Sequence, residues 1–500
     1  MFPLLCYSLL FLIFLLTCKL IFQTRRKFRN LPPGPPFLPI IGNLHLLQPP
    51  LHLTFQRISQ KYGNIFSLRF GSRLVIVSSS QSAFQECFTK NDVVLANRPY
   101  NIAGKYIFYN CTTIGSCSYG DHWINLRRIS TQDLLSIQRV HSFSGIRRDE
   151  TNRVIHQLVK ECSCLKFEQV ELSFMLHNMM YNNLMRMISG KRYYGEEIDA
   201  KDAKEAKEFR ETVEEMVKLT GVSNKADYLP FLRWFDFQNL EKRLQNISNR
   251  FDAILNALIY ENRSKMKPEN TLIDHLLKLQ ESQPEYYTDQ IIKGLILAML
   301  FAGSNSTAVT LEWAMSNLLN HPEVLKKAKE EMDTYIGQDH LLNEVDLPKL
   351  PYLKKVVLET LRMYPPAPLL FPHLSSDDIV MEGFNVPRDT IVLTNGWSMQ
   401  RDPLVWNEPT HFIPERFDKE GEEKKLVVFG FGRRSCPGKA MALHNVSFIL
   451  GLLIQCFDWK RVSEAKIDMS DQNLFTSTKL VPLKAMCKVR PIINKINLNN

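Results

Sequence analysis

The ten residues Phe429-Gly-Phe-Gly-Arg-Arg-Ser-Cys-Pro-Gly438 are where this chain's residue types come closest to doing chemistry. A glycine-rich loop exposes backbone N–H groups. The apolar helix predicted from Lys439 to Cys456 adds positive potential at its N-terminus, so Cys436 stands where a thiolate is stabilised. Such a thiolate suits an axial ligand to iron, where its charge pushes electron density through the metal and favours O–O cleavage. Pro437 removes a backbone donor beside the sulfur. Gly432 and Gly438 permit close approach of a flat ring, and Phe429 can shield the sulfur from water.

Two further groups could serve that centre. Ala302-Gly-Ser-Asn-Ser-Thr307 interrupts a long apolar run. Small and polar residues compete for backbone carbonyls, so the helix is expected to widen or kink there. Glu359 and Arg362 lie at i, i+3 before Pro365-Pro366 and, alone, would be an ordinary surface pair. Arg416, in Pro414-Glu-Arg-Phe417, offers a second guanidinium, and one carboxylate shared by two such forks makes a rigid clasp.

These residues need a body to hold them. The chain has 500 residues, 45% hydrophobic and 10% aromatic, enough to bury a large core and to exclude disordered, collagen-like and coiled-coil classes. Its net charge of +10 is spread along the chain without the basic stripe of nucleic-acid binders, so no nucleic-acid partner is expected. A basic face for an acidic partner or a membrane is the better reading. Ten cysteines without a C-x-x-C pair indicate neither zinc nor a disulfide framework.

Pro3 to Phe22 is an apolar run with the single charge Lys19, long enough to span a ~30 Å hydrocarbon layer. Arg25, Arg26, Lys27 and Arg29 follow, which puts the rest of the chain on the cytosolic side. Residues 1–24 are thus expected to be a single-pass anchor in an endomembrane. Residues 25–40 read as a basic stop followed by a stiff hinge with five prolines between Leu31 and Pro39. Residues 41–500 read as one catalytic body, mainly α with small segregated β-sheets. Hairpins are expected over Ile65 to Val77, around Gly71-Ser72, and over Ile379 to Thr394. Helical periodicity covers Arg139 to Lys160, Asp202 to Leu219, Leu240 to Lys265, Pro322 to Tyr335 and Leu353 to Met363. The longest helix should run from an N-cap at Thr288 to near Pro322, through the middle of the body.

With these marks together, the chain resembles the cytochromes P-450, specifically the plant microsomal haem-thiolate monooxygenases. FxxGxRxCxG at 429 to 438, ExxR at 359 to 362, PERF at 414 to 417, WxxxR at Trp123 to Arg127 and the PPGPP hinge occur in the family's order. The stretches Val309 to Pro322 and Leu480 to Cys487 look closer still to the isoflavone 2′-hydroxylase group. The resemblance implies the family's fold and a haem b cofactor with Cys436 as axial ligand. It implies Trp123, Arg127, His373 and Arg434 as partners of the haem propionates, with Phe429 and Gly438 beside the ring. Glu359, Arg362 and Arg416 would form the structural clasp. Phe108, Leu297, Ala302, Leu370, Phe371 and Phe475 would line a pocket for a planar, flavonoid-like substrate.

Electrons would come from NADPH through NADPH-cytochrome P-450 reductase, with cytochrome b5 as a second candidate donor, at the endoplasmic reticulum membrane. One departure stands out. The family usually carries an acid followed by Thr at the helix centre, where this chain has Asn305, Ser306 and Thr307. An amide cannot replace a carboxylic acid as a proton source, so proton delivery should fall to hydroxyls and water. A haem-thiolate isomerase or dehydratase, and a haem-binding sensor, are the alternative readings at this point.

Overall fold

A 32-residue helix, Asp289–Asn320, forms the axis of the molecule. The structure, a computed structural model, describes residues 30–495 apart from 196–197, 199–201, 221–223, 236–238, 267–268 and 473–475, together with Tyr7, Ser8, Phe11, Leu12 and Phe14. Thr288 caps the axial helix, its hydroxyl accepting the Ile291 N–H at 3.4 Å. The helix is apolar on all sides because it is enclosed: Trp313, Ala314, Met315 and Leu318 are fully buried. The helix remains α across 302–307. Ser304, Ser306 and Thr307 donate to the carbonyls of Leu300, Ala302 and Gly303 within their own helix. Gly303 serves packing instead: a Cβ there would sit 3.0 Å from Leu184 of the neighbouring helix Leu172–Ser189.

Around this axis lie Ser144–Glu161, Ala203–Thr220, Leu240–Ser264, Leu272–Ser282, Pro322–Tyr335, Pro351–Met363 and Lys439–Cys456. The predicted Arg139 to Lys160 helix is two, Ile137–Ser142 and Ser144–Glu161, divided at Phe143. One cluster, from Leu172 and Met180 to Leu450 and Ile454, joins the axis to the C-terminal helices; a second, from Trp123 to Leu300, joins it to the Ala203–Thr220 and Leu240–Ser264 pair.

The sheets stand apart from the helices. Strands β1 (Ile65–Phe70), β2 (Arg73–Ser78), β4 (His373–Leu374) and β7 (Ile391–Thr394) form one sheet in the order β1-β2-β7-β4. The β1–β2 hairpin closes at Gly71, whose φ of +58° suits glycine. β5 (Ile379–Met381) and β6 (Phe384–Val386) form the second hairpin, turning through Glu382 and Gly383, both at positive φ. The predicted Ile379 to Thr394 hairpin therefore ends at Val386, and β7 leaves it to pair in parallel with β2. β3 (Glu168–Glu171), β8 (Phe457–Lys460) and β9 (Lys484–Val489) form the third sheet.

The proline-rich segment is not a free spacer in this structure. Pro32 is buried, the Ser67 N–H donates to the Pro33 carbonyl at 2.9 Å, and the Ser67 hydroxyl donates to the Pro32 carbonyl at 2.8 Å, so the segment lies along the edge of β1. Proline cannot donate to a ladder but its carbonyls accept, which is why such a stretch fits an edge. Of the expected anchor, the five described residues are helical and exposed, and the rest lies outside the described residues. Among the described residues, two helices are long and apolar enough to cross a membrane, Asp289–Asn320 and Lys439–Cys456, and both are mostly buried in the core.

Candidate active site

The loop bearing Cys436 is fixed at both ends. Its N–H donates to the Phe429 carbonyl at 2.7 Å, folding the loop back on itself. Gly432, at φ +63°, lies so close to the Phe88–Asp92 segment that a Cβ would meet the Phe88 carbonyl at 2.7 Å. Arg433 pairs there with Asp92 at 2.7 Å. Burial pushes the Cys436 thiol above its ordinary value, against the pull of the Gly438 N–H and of the Arg127 and Lys439 charges. A coordinated cation deprotonates such a thiol outright.

Four of the residues singled out in the sequence converge beside this loop. Arg127 donates to the Ser435 carbonyl at 2.5 Å. Arg434 lies over the Trp123 ring, 4.3 Å from its centroid, and donates to the carbonyls of Ala96 and Cys117 at 2.7 and 2.6 Å. Trp123 Nε1 and Arg434 share the Ile114 carbonyl, each at 3.2 Å. His373 donates from Nδ1 to the Leu95 carbonyl at 2.6 Å, and burial, with the Arg98 charge, holds it well below its ordinary pKa and hence neutral.

Arg98 completes the group and was missed in the sequence, where Asn97-Arg-Pro99 carries no periodic or spacing signal. It donates to the Pro372 and Gly115 carbonyls at 2.6 and 3.2 Å. Burial and the neighbouring Arg434 charge push Arg98 down to about 9, while burial pushes Arg434 down to about 10. Among the described residues, no carboxylate pairs with Arg98, Arg127 or Arg434; their partners are carbonyls and the Ser435 hydroxyl. Half-buried cations crowded together without counter-charge are costly, so the group fits an anionic ligand.

The helix centre supplies the facing wall. Ala302 is exposed although it sits midway along a buried helix, and Ala298 and Ser306, four residues either side, are half-exposed. This stripe and Cys436 are surfaces that the surrounding side chains leave uncovered. A Cβ on Gly438 would meet nothing nearer than Cys436 Sγ at 4.0 Å, leaving room for a flat ring beside the sulfur. An anion-seeking arginine group, a single thiol and an open glycine together fit an iron porphyrin with two carboxylate arms. Phe429 is half-buried at the edge of the loop, with Lys439 Nζ 5.6 Å from its ring centroid.

The pocket residues are distributed unevenly. Leu297 is 1% exposed and packed in the core beside Leu300, so the accessible stripe runs one residue out of phase with it. Phe108 is half-buried against the same cluster. Phe371 is 47% exposed and lies under the Arg98 guanidinium. Leu370 is held at φ +51°, a conformation costing a leucine ~1–2 kcal/mol. Phe475 lies outside the described residues.

Glu359 is fully buried on Pro351–Met363 and gripped by two arginines. Arg362 donates to both its oxygens, at 2.8 and 2.9 Å, and Arg416 Nε stands 3.0 Å from the same carboxylate. The Ile413 N–H adds a fourth bond at 2.9 Å. The remaining guanidinium N–H groups bind the carbonyls of Gln400, Asn407, Pro409 and His411, stitching the 400–416 segment to the helix.

Residues 32–487 match the profile of the family described as Cytochrome P450. The chain belongs to the cytochrome P450 family. It is accordingly a haem-binding monooxygenase. It is 61% identical over 493 residues to an isoflavone 2′-hydroxylase of Glycyrrhiza echinata, covering 99% of this chain and 98% of the relative. It is 60% identical to an isoflavone 2′-hydroxylase of Medicago truncatula over 98% of each chain. An isoflavone 3′-hydroxylase of Medicago truncatula is 57% identical over 98% of this P450 and 99% of the relative.

Proposed function

We propose that this P450 hydroxylates the aromatic ring of an isoflavonoid or related flavonoid. The observation that carries this reading is its near-full-length likeness to three isoflavone hydroxylases. Those relatives differ in the ring position named, so the position attacked by this chain is left to product analysis.

Bound haem would supply the activation of dioxygen. In this proposal Cys436 ligates its iron, and Arg98, Arg127, Arg434, Trp123 and the neutral His373 hold its carboxylate arms. Phe429 and Gly438 border the ring. The Ala298–Ala302–Ser306 stripe, Leu370 and Phe371 wall the substrate side and exclude water, with Phe108 behind them and Phe475 as a further contact; Leu297 supports the wall from the core. Ser306 presents the hydroxyl on that stripe and passes protons from ordered water. Thr307 is buried where Ser306 is half-exposed, so it acts as a reserve at most. Asn305 holds no transferable proton at neutral pH.

Two electrons per turnover would arrive from NADPH through a flavoprotein reductase, with cytochrome b5 as a second donor. Lys439 and other basic residues near the thiolate face would steer it, whereas Arg433 is already paired with Asp92. Residues 1–24 would anchor the enzyme in the endoplasmic reticulum membrane, residues 25–40 join the anchor to the body, and the catalytic domain of 41–500 would face the cytosol.

The test is turnover of a panel of isoflavones, flavones and flavanones with NADPH and a plant reductase, read by mass spectrometry. Products carrying one added oxygen on the isoflavone ring, formed only with NADPH, are expected. Turnover of none of the three classes would refute the proposal.

A further inference from the structure

Asn305 is engaged at both ends of its amide. Nδ2 donates to Thr476 Oγ1 at 2.8 Å, and Oδ1 faces His177 Nε2 at 3.2 Å. His177 belongs to Leu172–Ser189, and its other nitrogen, Nδ1, faces the Ser173 carbonyl at 2.8 Å. Thr476 Oγ1 continues the chain to Thr478 Oγ1 at 3.3 Å. Three segments distant in sequence are thereby joined through one side chain.

The third of these segments begins at Thr476. Its base is pinned where Trp313 Nε1 donates to the Ser477 carbonyl at 2.6 Å and the Ser477 N–H donates to the Pro366 carbonyl at 2.9 Å. Asn305 lies two helical turns from Trp313, ~12 Å along the axis, and holds the same segment at Thr476. An amide suits that duty better than the acid usual at this place. A carbonyl only accepts, so His177 Nδ1 carries the proton that reaches Ser173. The charged ring then donates from Nε2 to Oδ1; the neutral ring offers Nε2 as an acceptor, which the amide meets by turning its NH2 while Thr476 donates to Oδ1. A carboxylate can answer the charged ring alone.

We propose that Asn305 is a positioning residue whose amide, bridging His177 and Thr476, ties the C-terminal segment to the axial helix beside the Ala298–Ala302–Ser306 stripe and thereby sets which ring position of the substrate is presented. The part concerning ring position rests on the hydroxylase reading above; the part concerning the tie does not.

The experiment is hydrogen–deuterium exchange on the full-length, haem-loaded chain, reading peptides across residues 476–483, in parallel with product ratios on the isoflavone panel. Asn305→Leu and Thr476→Val should each speed exchange in that segment about 5-fold, as loss of one buried hydrogen bond predicts, and shift the product ratio in the same direction. His177→Leu should do likewise, and His177→Gln, whose amide can still donate to Oδ1, should restore both readouts. Unchanged exchange in both Asn305→Leu and Thr476→Val would overturn the proposal, as would equal effects of His177→Leu and His177→Gln. Should Asn305→Leu fail to fold, Thr476→Val alone decides by the same exchange readout. Turnover of no isoflavone by the wild type would sink the hydroxylase reading while leaving the exchange result to judge the tie.

Discussion

The Glu359 clasp and the arginines beside Cys436 both bury guanidinium groups, yet only the first supplies its own anion. Around Glu359 every charge is answered within the chain, by two forks, one backbone N–H and a set of carbonyls. Around Cys436, Arg98, Arg127 and Arg434 have carbonyl partners and each other's repulsion. The first arrangement is complete as protein. The second is stable only in proportion to what it binds, and that difference separates a structural element from a ligand site without reference to any motif.

Breaking the clasp should have the largest effect. Glu359→Gln strands two buried guanidinium groups, a loss of about 3–5 kcal/mol out of the ~5–15 kcal/mol that holds a domain folded. Denaturant midpoints should fall sharply whether or not haem is bound. A midpoint within error of wild type would show the clasp to be dispensable.

Removing a cation from the other cluster should do the reverse. Arg434→Gln or Arg98→Gln should hasten haem dissociation by roughly 10-fold or more, at about 1.5–3 kcal/mol for a hydrogen bond to a charged group. The melting temperature of the haem-stripped chain should stay level or rise, because a repulsion has been relieved. A stripped chain that melts as early as Glu359→Gln would erase the contrast.

A third cluster sharpens it. Glu344 receives Arg147 through both oxygens, at 2.7 and 2.6 Å, and lies 2.8 Å from His444 Nε2, bringing Ser144–Glu161 beside the helix that follows the Cys436 loop. Burial alone would raise its pKa, but His444 and Arg147 prevail and hold it at about 2. The carboxylate therefore stabilises the fold above about pH 4.5 and ceases to do so as pH falls toward 2. Glu344→Gln should flatten the acid limb of a stability–pH profile between those values; a limb as steep as wild type would assign it to other carboxylates.

The smallest effects belong to the helix centre. Ser306→Ala should lower product formed per NADPH a few-fold, general-acid assistance by a hydroxyl being partly replaceable by water. Thr307→Ala should do less, since its side chain is buried whereas that of Ser306 is half-exposed. Equal coupling in both variants would mean that water alone carries the protons.

What the sequence made legible follows from how local the signal was. Pro322–Tyr335 appears at its expected bounds and the axial helix ends where Thr288 and Pro322 imply, because caps and prolines act within one turn. The Cys436 loop and the ExxR pair were readable for the same reason. Arg98, His177 and Thr476 were not, since each acquires its meaning from partners more than a hundred residues away. At the helix centre the expected competition for backbone carbonyls is present, since Ser304 and Ser306 bond their own turn, whereas the packing of Gly303 against Leu184, more than a hundred residues away, was not legible.

The most direct test of the account is the absorption spectrum of the reduced carbonyl complex in wild type and Cys436→Ala. Wild type should show the strongly red-shifted Soret band of thiolate-ligated haem, and Cys436→Ala should lack it while keeping the wild-type far-ultraviolet circular dichroism. A red-shifted band that persists in Cys436→Ala, or a wild-type band at the position given by imidazole ligation, would contradict the assignment of the 429–438 loop as the haem-thiolate site.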